Sequence, residues 1–218
     1  RCVKLAGMNY ILMMIVAVVL AGCGKNSDET PKTSGKSSNK MSKPVSKKSP
    51  PVVEMKKSEF DETKAKAEKG DMAAQYNLGK MYGDGKGVAK DEKQAVAWHV
   101  KSASQGHVGS QAALGLHYYY GNGVIKDNKK AVHWLLKASM QGHSFSQGLL
   151  GVMCDLGEGV PQNSTSAFVW CYISSLNGHA GATKYKNNVL SKKLNPSQIT
   201  KAEELARDMI KKNPKLLK

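Results

Sequence analysis

The side chains with which this 218-residue chain could bind a metal, attack a substrate or move protons are few, and their spacing is informative mainly by exclusion. Its four cysteines, Cys2, Cys23, Cys154 and Cys171, form no CxxC and join no histidine at zinc-finger spacing, so a structural zinc site is not expected. His107, His143 and His179 stand 36 residues apart. Copies of one position in stacked units lie a helix-pair thickness apart, and adjacent helix axes alone are separated by roughly 8–10 Å. One metal takes its ligands at about 2 Å, so these histidines read as polar residues at helix starts. Gly83-Asp-Gly-Lys-Gly87 has the look of a phosphate loop. It lacks the Gly-Lys-Ser/Thr ending, and its glycines recur at 121 and 123 and at 157 and 159, which marks an inter-helix turn. No Ser/His/Asp set stands at a recognisable motif. The expected catalytic, metal and cofactor sites are therefore none.

The elements that carry these residues repeat. Gly70, Gly106, Gly142 and Gly178 are spaced by 36 residues, and the register holds without a gap. Leu78-Gly79 aligns with Leu114-Gly115 and Leu150-Gly151, Ala95 with Ala131 and Ala167, and Trp98 with Trp134 and Trp170. Ala74, Leu78, Met81 and Tyr82 form one stripe of a first helix, while Ala95, Trp98 and Ser102 form one stripe of a second. Asp71 is placed to cap the first helix, and Asp91 the second with Gln94 completing a capping box. Each helix pair has apolar faces on both sides, which only stacking buries. The expected fold is all-α, an α/α solenoid or superhelix: a lead-in helix at 58–69, units at 70–105, 106–141 and 142–177, and a partial fourth repeat with a capping helix at 178–218. Asn195-Pro196-Ser197-Gln198 offers an N-cap, a proline at the first helical position and a glutamine at N3 for that last helix, to about residue 212. Gly148 and Gly151 share one helix, so the third unit is expected to be weakest at roughly 1 kcal/mol per helical glycine.

The net charge of +16 suggests nucleic acid until it is located. Residues 1–23 carry +2, 24–58 carry +6, 59–178 only +1 and 179–218 carry +7. The part that must hold the core is nearly neutral, so nucleic acid is not an expected partner. Tyr10–Leu20 is an uncharged apolar run preceded by Arg1 and Lys4, with the layout of a secretory signal peptide over 1–22. It ends in Leu20-Ala-Gly-Cys23, which resembles the bacterial lipobox. That resemblance implies cleavage before Cys23 and acylation of its sulfur, giving a membrane lipoprotein. Gly24 rather than Asp resembles outer-membrane sorting, facing the periplasm or the exterior. The sequence opens on Arg1 rather than Met, which leaves the true start open. Residues 23–57, rich in Lys, Ser and Pro, bury too little to order themselves and read as a disordered tether. Ser37-x-x-Lys40 matches the spacing of penicillin-interacting serine enzymes, but nothing in such a tether fixes the serine against the lysine.

The frame Gly-x-x-x-Ala-x-x-x-Leu-Gly-x-x-Tyr-x-x-Gly-x-Gly-Val-x-x-Asp-x-x-x-Ala-x-x-Trp resembles the Sel-1-like repeat, a relative of the tetratricopeptide repeat. Unit one matches nearly throughout, and unit two keeps Tyr118, Gly121, Gly123, Asp127, Ala131 and Trp134. In unit three Cys154 replaces the aromatic and Asn163 the aspartate. The resemblance implies a non-catalytic scaffold that binds a protein or peptide of the cell envelope and is held by an N-terminal lipid. By analogy with tetratricopeptide units, the residues facing the partner are Tyr76, Lys80, Leu116, Tyr119, Tyr120, Phe145, Val152 and Asp155, with Tyr118 kept for packing. The alternative is a penicillin-binding or weak β-lactamase-like enzyme, as described for cysteine-rich relatives. Those relatives carry a cysteine pair in every repeat, whereas here the folded part has only Cys154 and Cys171. An oxidising compartment favours a bond between these two and their axial offset opposes it, so the pairing is left open.

Overall fold

The computed structural model describes residues 52–218, with side chains from Glu59 onward. The expected signal peptide, Cys23 and most of the tether lie outside the described residues. Among the described residues every regular element is helical. Helix α1 spans Val52–Glu68, then α2 Met72–Asp84 and α3 Glu92–Ser104 form unit one. Unit two is α4 Val108–Tyr120 with α5 Asn128–Ser139, and unit three is α6 Ser144–Leu156 with α7 Ser164–Leu176. The chain continues through α8 Ala180–Tyr185, a π-helical turn Lys186–Leu190 and a short α9 Ser191–Lys193. It closes with α10 Pro196–Lys212 and a 3₁₀ turn Pro214–Leu216.

Helix α1 starts at Val52, six residues before the expected start at 58, so the tether read as running to 57 is already helical over its last residues. Pro50 and Pro51 precede it in the sequence and cannot donate a backbone hydrogen bond. From Val52 to Glu68 neither proline nor glycine interrupts. Phe60 and Ala67 of α1 then cover Ala74, Leu78, Met81 and Trp98 of unit one.

Local chemistry explains the repeated helix starts. Asp71 accepts from the Ala74 N–H at 2.6 Å, and Asp91, Asp127 and Asn163 cap the three second helices. The recurring histidines do the same work by another atom. The Nδ1 atoms of His107, His143 and His179 accept from the N–H groups of Ser110, Ser146 and Ala182 at 3.0–3.2 Å. The Gln94 side-chain arm of the box expected at α3 is not made, although Asp91 accepts from the N–H groups of Lys93 and Gln94. The reciprocal box at α10 is complete, with Asn195 and Gln198 each accepting from the other's backbone N–H at 2.9 Å.

Stacking fixes the turns. Gly123 takes φ +70, and a Cβ there would collide with the Glu92 carbonyl of the preceding unit; Gly159 meets Asn128 in the same way. Within each unit the first-helix glycine lies against the residue after the tryptophan. A Cβ at Gly79 would meet the His99 ring at 2.7 Å, at Gly115 the Leu135 side chain at 2.6 Å, and at Gly151 the Cys171 Sγ at 2.5 Å. Lys101 lies over Trp98 and Lys137 over Trp134, whereas the matching Ile173 is fully buried in α7, against which α10 packs. Unit three, expected to be weakest, holds Phe168, Val169, Trp170, Met153 and Ile173 fully buried. Its extra glycine lets the start of α8 approach, since a Cβ at Gly148 would lie 3.2 Å from the His179 ring.

Candidate functional site

The positions expected to face a partner do not form one continuous surface. Three repeat positions account for six of them. The first holds Lys80, Leu116 and Val152, exposed in unit one and half-buried in the next two. The second holds Gly83 and Tyr119, both half-buried, and Asp155, which is buried. The third holds Asp84, Tyr120 and Leu156, and it is exposed in every unit.

Tyr120 is the most open of the expected aromatic and aliphatic residues, at 64% exposure. Its ring meets the Tyr119 ring edge-on at 5.0 Å, and Lys126 lies 5.6 Å from the Tyr119 ring. Burial, reinforced by the Glu158 carboxylate, pushes the Tyr119 phenol above its ordinary range. Ile125, in the turn that follows, is 90% exposed, and Leu156 repeats the Tyr120 position in unit three. Neither was expected from the sequence. The helical period places Leu156 beside the partner positions, but a turn residue such as Ile125 carries no periodic signal.

Tyr76 is half-buried and bridges layers rather than standing free. Its ring lies 4.5 Å from that of His107 and 5.7 Å from that of His99, and it fills the space above Gly109. Phe145 is exposed, with its ring edge on His179 at 5.8 Å.

Asp155 corrects the expectation. It is fully buried by its own chain and cannot face a partner. The Ser164 hydroxyl donates to Oδ1 at 2.9 Å, while the Tyr185 hydroxyl and the Lys193 ammonium each donate to Oδ2 at 2.6 Å. Burial works to raise its pKa, but the Lys193, Tyr185 and Ser164 hydrogen bonds together outweigh it and hold the carboxyl below the ordinary carboxylate range. Burial and the Asp155 carboxylate push the Tyr185 phenol well up. The node therefore joins unit three to the α8–α9 layer.

The thiols left open by the sequence are both free and buried. Burial pushes each up to about 12, which removes nucleophilic thiolate at neutral pH. His99, fully enclosed between Gly79 and Tyr76, is held down to about 4 by burial first and then by His117, His107 and Lys80. Its ring lies 5.6 Å from that of His117, whose Nδ1 pairs with the Asn122 carbonyl at 2.9 Å and faces Glu92 at 3.8 Å. Among the described residues no group of three His, Cys, Asp or Glu side chains is arranged to hold a metal, and no helix is long and apolar enough to cross a membrane.

The Sel1 repeat model matches residues 73–107, 108–143 and 144–179, each offset by only a few residues from the glycine-defined units. Among solved structures the chain is similar to a protective antigen of uropathogenic Escherichia coli strains displaying an SLR fold. The identity is 29% at a TM-score of 0.50, over 72% of this chain and 42% of the other. It thus spans less than half of that antigen's length. It is also similar to a Sel1 repeat protein from Oxalobacter formigenes, 29% identical at a TM-score of 0.55, over 60% of this chain and 98% of the other. No curated protein matches the chain. Sel1 repeats generally mediate protein–protein interaction. Residues 73–179 of the chain are therefore three consecutive Sel1 repeats.

Proposed function

We propose that the protein is a non-catalytic binding scaffold of the bacterial cell envelope, anchored by lipid on Cys23 and engaging a protein partner at the edge formed by the ends of its first helices. The observation that carries this reading is Tyr120, a large aromatic left 64% exposed against the Tyr119 ring. Tyrosines of this kind gain large contact area at low entropic cost when a partner covers them. The inert thiols and the structural role of Asp155 give a β-lactamase-like reading no nucleophile to work with at those positions. The experiment is a Tyr119→Ala, Tyr120→Ala double substitution, read by thermal unfolding and by recovery of crosslinked partners from the protein's own membranes. Recovery is expected to fall with unfolding nearly unchanged; a large drop in melting temperature would instead make the pair core. The anchor is tested separately with Cys23→Ser, which is expected to leave the protein unprocessed by the lipoprotein route; a processed protein that still partitions with membranes would overturn it.

A further inference from the structure

The edge opposite Tyr120, where one unit hands over to the next, carries a second repeated device. In each unit a first-helix glutamine and a carboxamide at the end of the second helix form a pair. Gln105 Nε2 donates to Gln75 Oε1 at 2.7 Å, Gln141 Nε2 to Gln111 Oε1 at 2.8 Å, and Asn177 Nδ2 to Gln147 Oε1 at 2.8 Å. The first glutamine of each pair also donates to a carbonyl of the preceding layer: Gln75 to Ala67, Gln111 to Ala103 and Gln147 to Ser139.

The third pair holds a peptide. The Leu216 carbonyl accepts from Gln147 Nε2 at 2.9 Å and from Asn177 Nδ2 at 2.7 Å, and two residues on the Lys218 N–H donates to Asn177 Oδ1 at 3.0 Å. Asn213 anchors the start of the segment on the Met140 carbonyl at 3.0 Å. The segment runs close over Gly142, where a Cβ would lie 2.7 Å from the Lys215 carbonyl. All the contacts to the amide pair are to backbone atoms, so they read chain direction rather than sequence.

The first two pairs keep the same reading groups in reserve. A carboxamide has two N–H donors and one oxygen acceptor. Gln105 spends its donors on Gln75 and the Gly70 carbonyl, and Gln141 spends its own on Gln111 and the Gly106 carbonyl. What makes no further hydrogen bond among the described residues is one N–H of Gln75 or Gln111 and the Oε1 of Gln105 or Gln141. In the third pair those two roles are filled by the Leu216 carbonyl and the Lys218 N–H. The ground in front is open, since a Cβ at Gly70 or Gly106 would meet nothing within 4 Å.

We propose that the Gln75/Gln105 and Gln111/Gln141 pairs are backbone-reading sites for a peptide that offers a carbonyl and, two residues later, an N–H, as Leu216 and Lys218 do at the third pair. This deepens the scaffold reading by naming a ligand class and a second edge. It is independent of Tyr119 and Tyr120, whose substitution leaves these amides in place.

The test is a titration of the ¹⁵N-labelled full chain with a synthetic peptide of residues 213–218, capped at both ends, followed by the side-chain carboxamide signals. Saturable shifts of the Gln111 and Gln141 signals are expected. A peptide N-methylated at its last lysine, which cannot donate that N–H, should bind about three- to tenfold more weakly, the cost of one lost hydrogen bond. Gln141→Leu should give a similar loss, and the N-methyl arm keeps the test sound if that variant fails to fold. Shifts confined to Gln147 and Asn177, equal binding of the N-methyl peptide, or no shift at all would each overturn the proposal. If the Gln111 and Gln141 signals move with protein concentration alone, the site is supported and its source is the Asn213–Lys218 segment of a second copy.

Discussion

His99 occupies the slot that Leu135 fills in unit two and Cys171 in unit three, and it is the one member of that series with a polar atom to satisfy. Its Nδ1 is buried without a hydrogen-bond partner. An unpartnered buried polar atom costs about 1–3 kcal/mol, and the neighbouring unit shows that leucine fits over the facing glycine. His99→Leu is therefore expected to stabilise the protein by about 1 kcal/mol at neutral pH. The substitution also changes the response to acid. The folded-state value of about 4 lies below the ordinary 6.5, so the unfolded chain binds more protons between those limits. The stability that neutral His99 supplies is full above pH 6.5 and is lost as pH falls toward 4, by up to about 3 kcal/mol. Urea midpoints at pH 7.5 and 4.5 should show a smaller loss in His99→Leu than in the parent, with the remainder due to His107, His133 and His143, all also held down by burial. Equal losses would mean that folding does not lower the His99 pKa. Asp155 does not confuse the measurement, because it is held below its ordinary 3.8 and acts at lower pH.

At the scale of the helix, one substitution has opposite signs at two glycines. Alanine gains about 1 kcal/mol over glycine in a helix interior wherever its methyl has room. At Gly83 of α2 the new methyl would meet Ala95 Cβ at 3.7 Å, an ordinary contact, so Gly83→Ala is expected to raise stability by up to about 1 kcal/mol. At Gly151 of α6 it would meet Cys171 Sγ at 2.5 Å and the Ala167 carbonyl at 3.0 Å. Overpacking costs typically about 1–3 kcal/mol, so Gly151→Ala is expected to lower stability despite the better propensity. Denaturant unfolding of the two variants decides this, and stabilisation by both would show that the helices are free to separate. The glycine turns, the aspartate caps and the capping box at Asn195 were legible in the sequence because each is satisfied within a few residues of itself. Asp155 was not. Its partners Tyr185 and Lys193 lie 30 and 38 residues on, and Lys193 belongs to the stretch after Gly178 that lacks the repeat's turn. A position that is half-open as Tyr119 in unit two becomes a buried carboxylate held by the exposed Lys193 in unit three, because the next layer is a different element.

Across the whole molecule each unit is supported by its neighbours, so the consequences of losing one layer should stay close to the cut. The last layer is α10 with the segment that follows it. Ala202, Ala206 and Leu216 are fully buried there, α10 packs on α7, and the Leu216 carbonyl satisfies the Gln147/Asn177 pair. Removing residues 195–218 would bare one face of α7, whose Phe168, Trp170 and Ile173 are otherwise enclosed, and would leave two amide donors unmet. Units one and two would keep their own contacts, including the cover that α1 gives through Phe60. The truncated chain is therefore expected to lose amide hydrogen-exchange protection in α6 and α7 first, by at least about tenfold, with that of α2 and α3 little changed. A uniform fall across all six helices would instead show that the three units unfold as one cooperative block, and nearest-neighbour support would then not describe this solenoid.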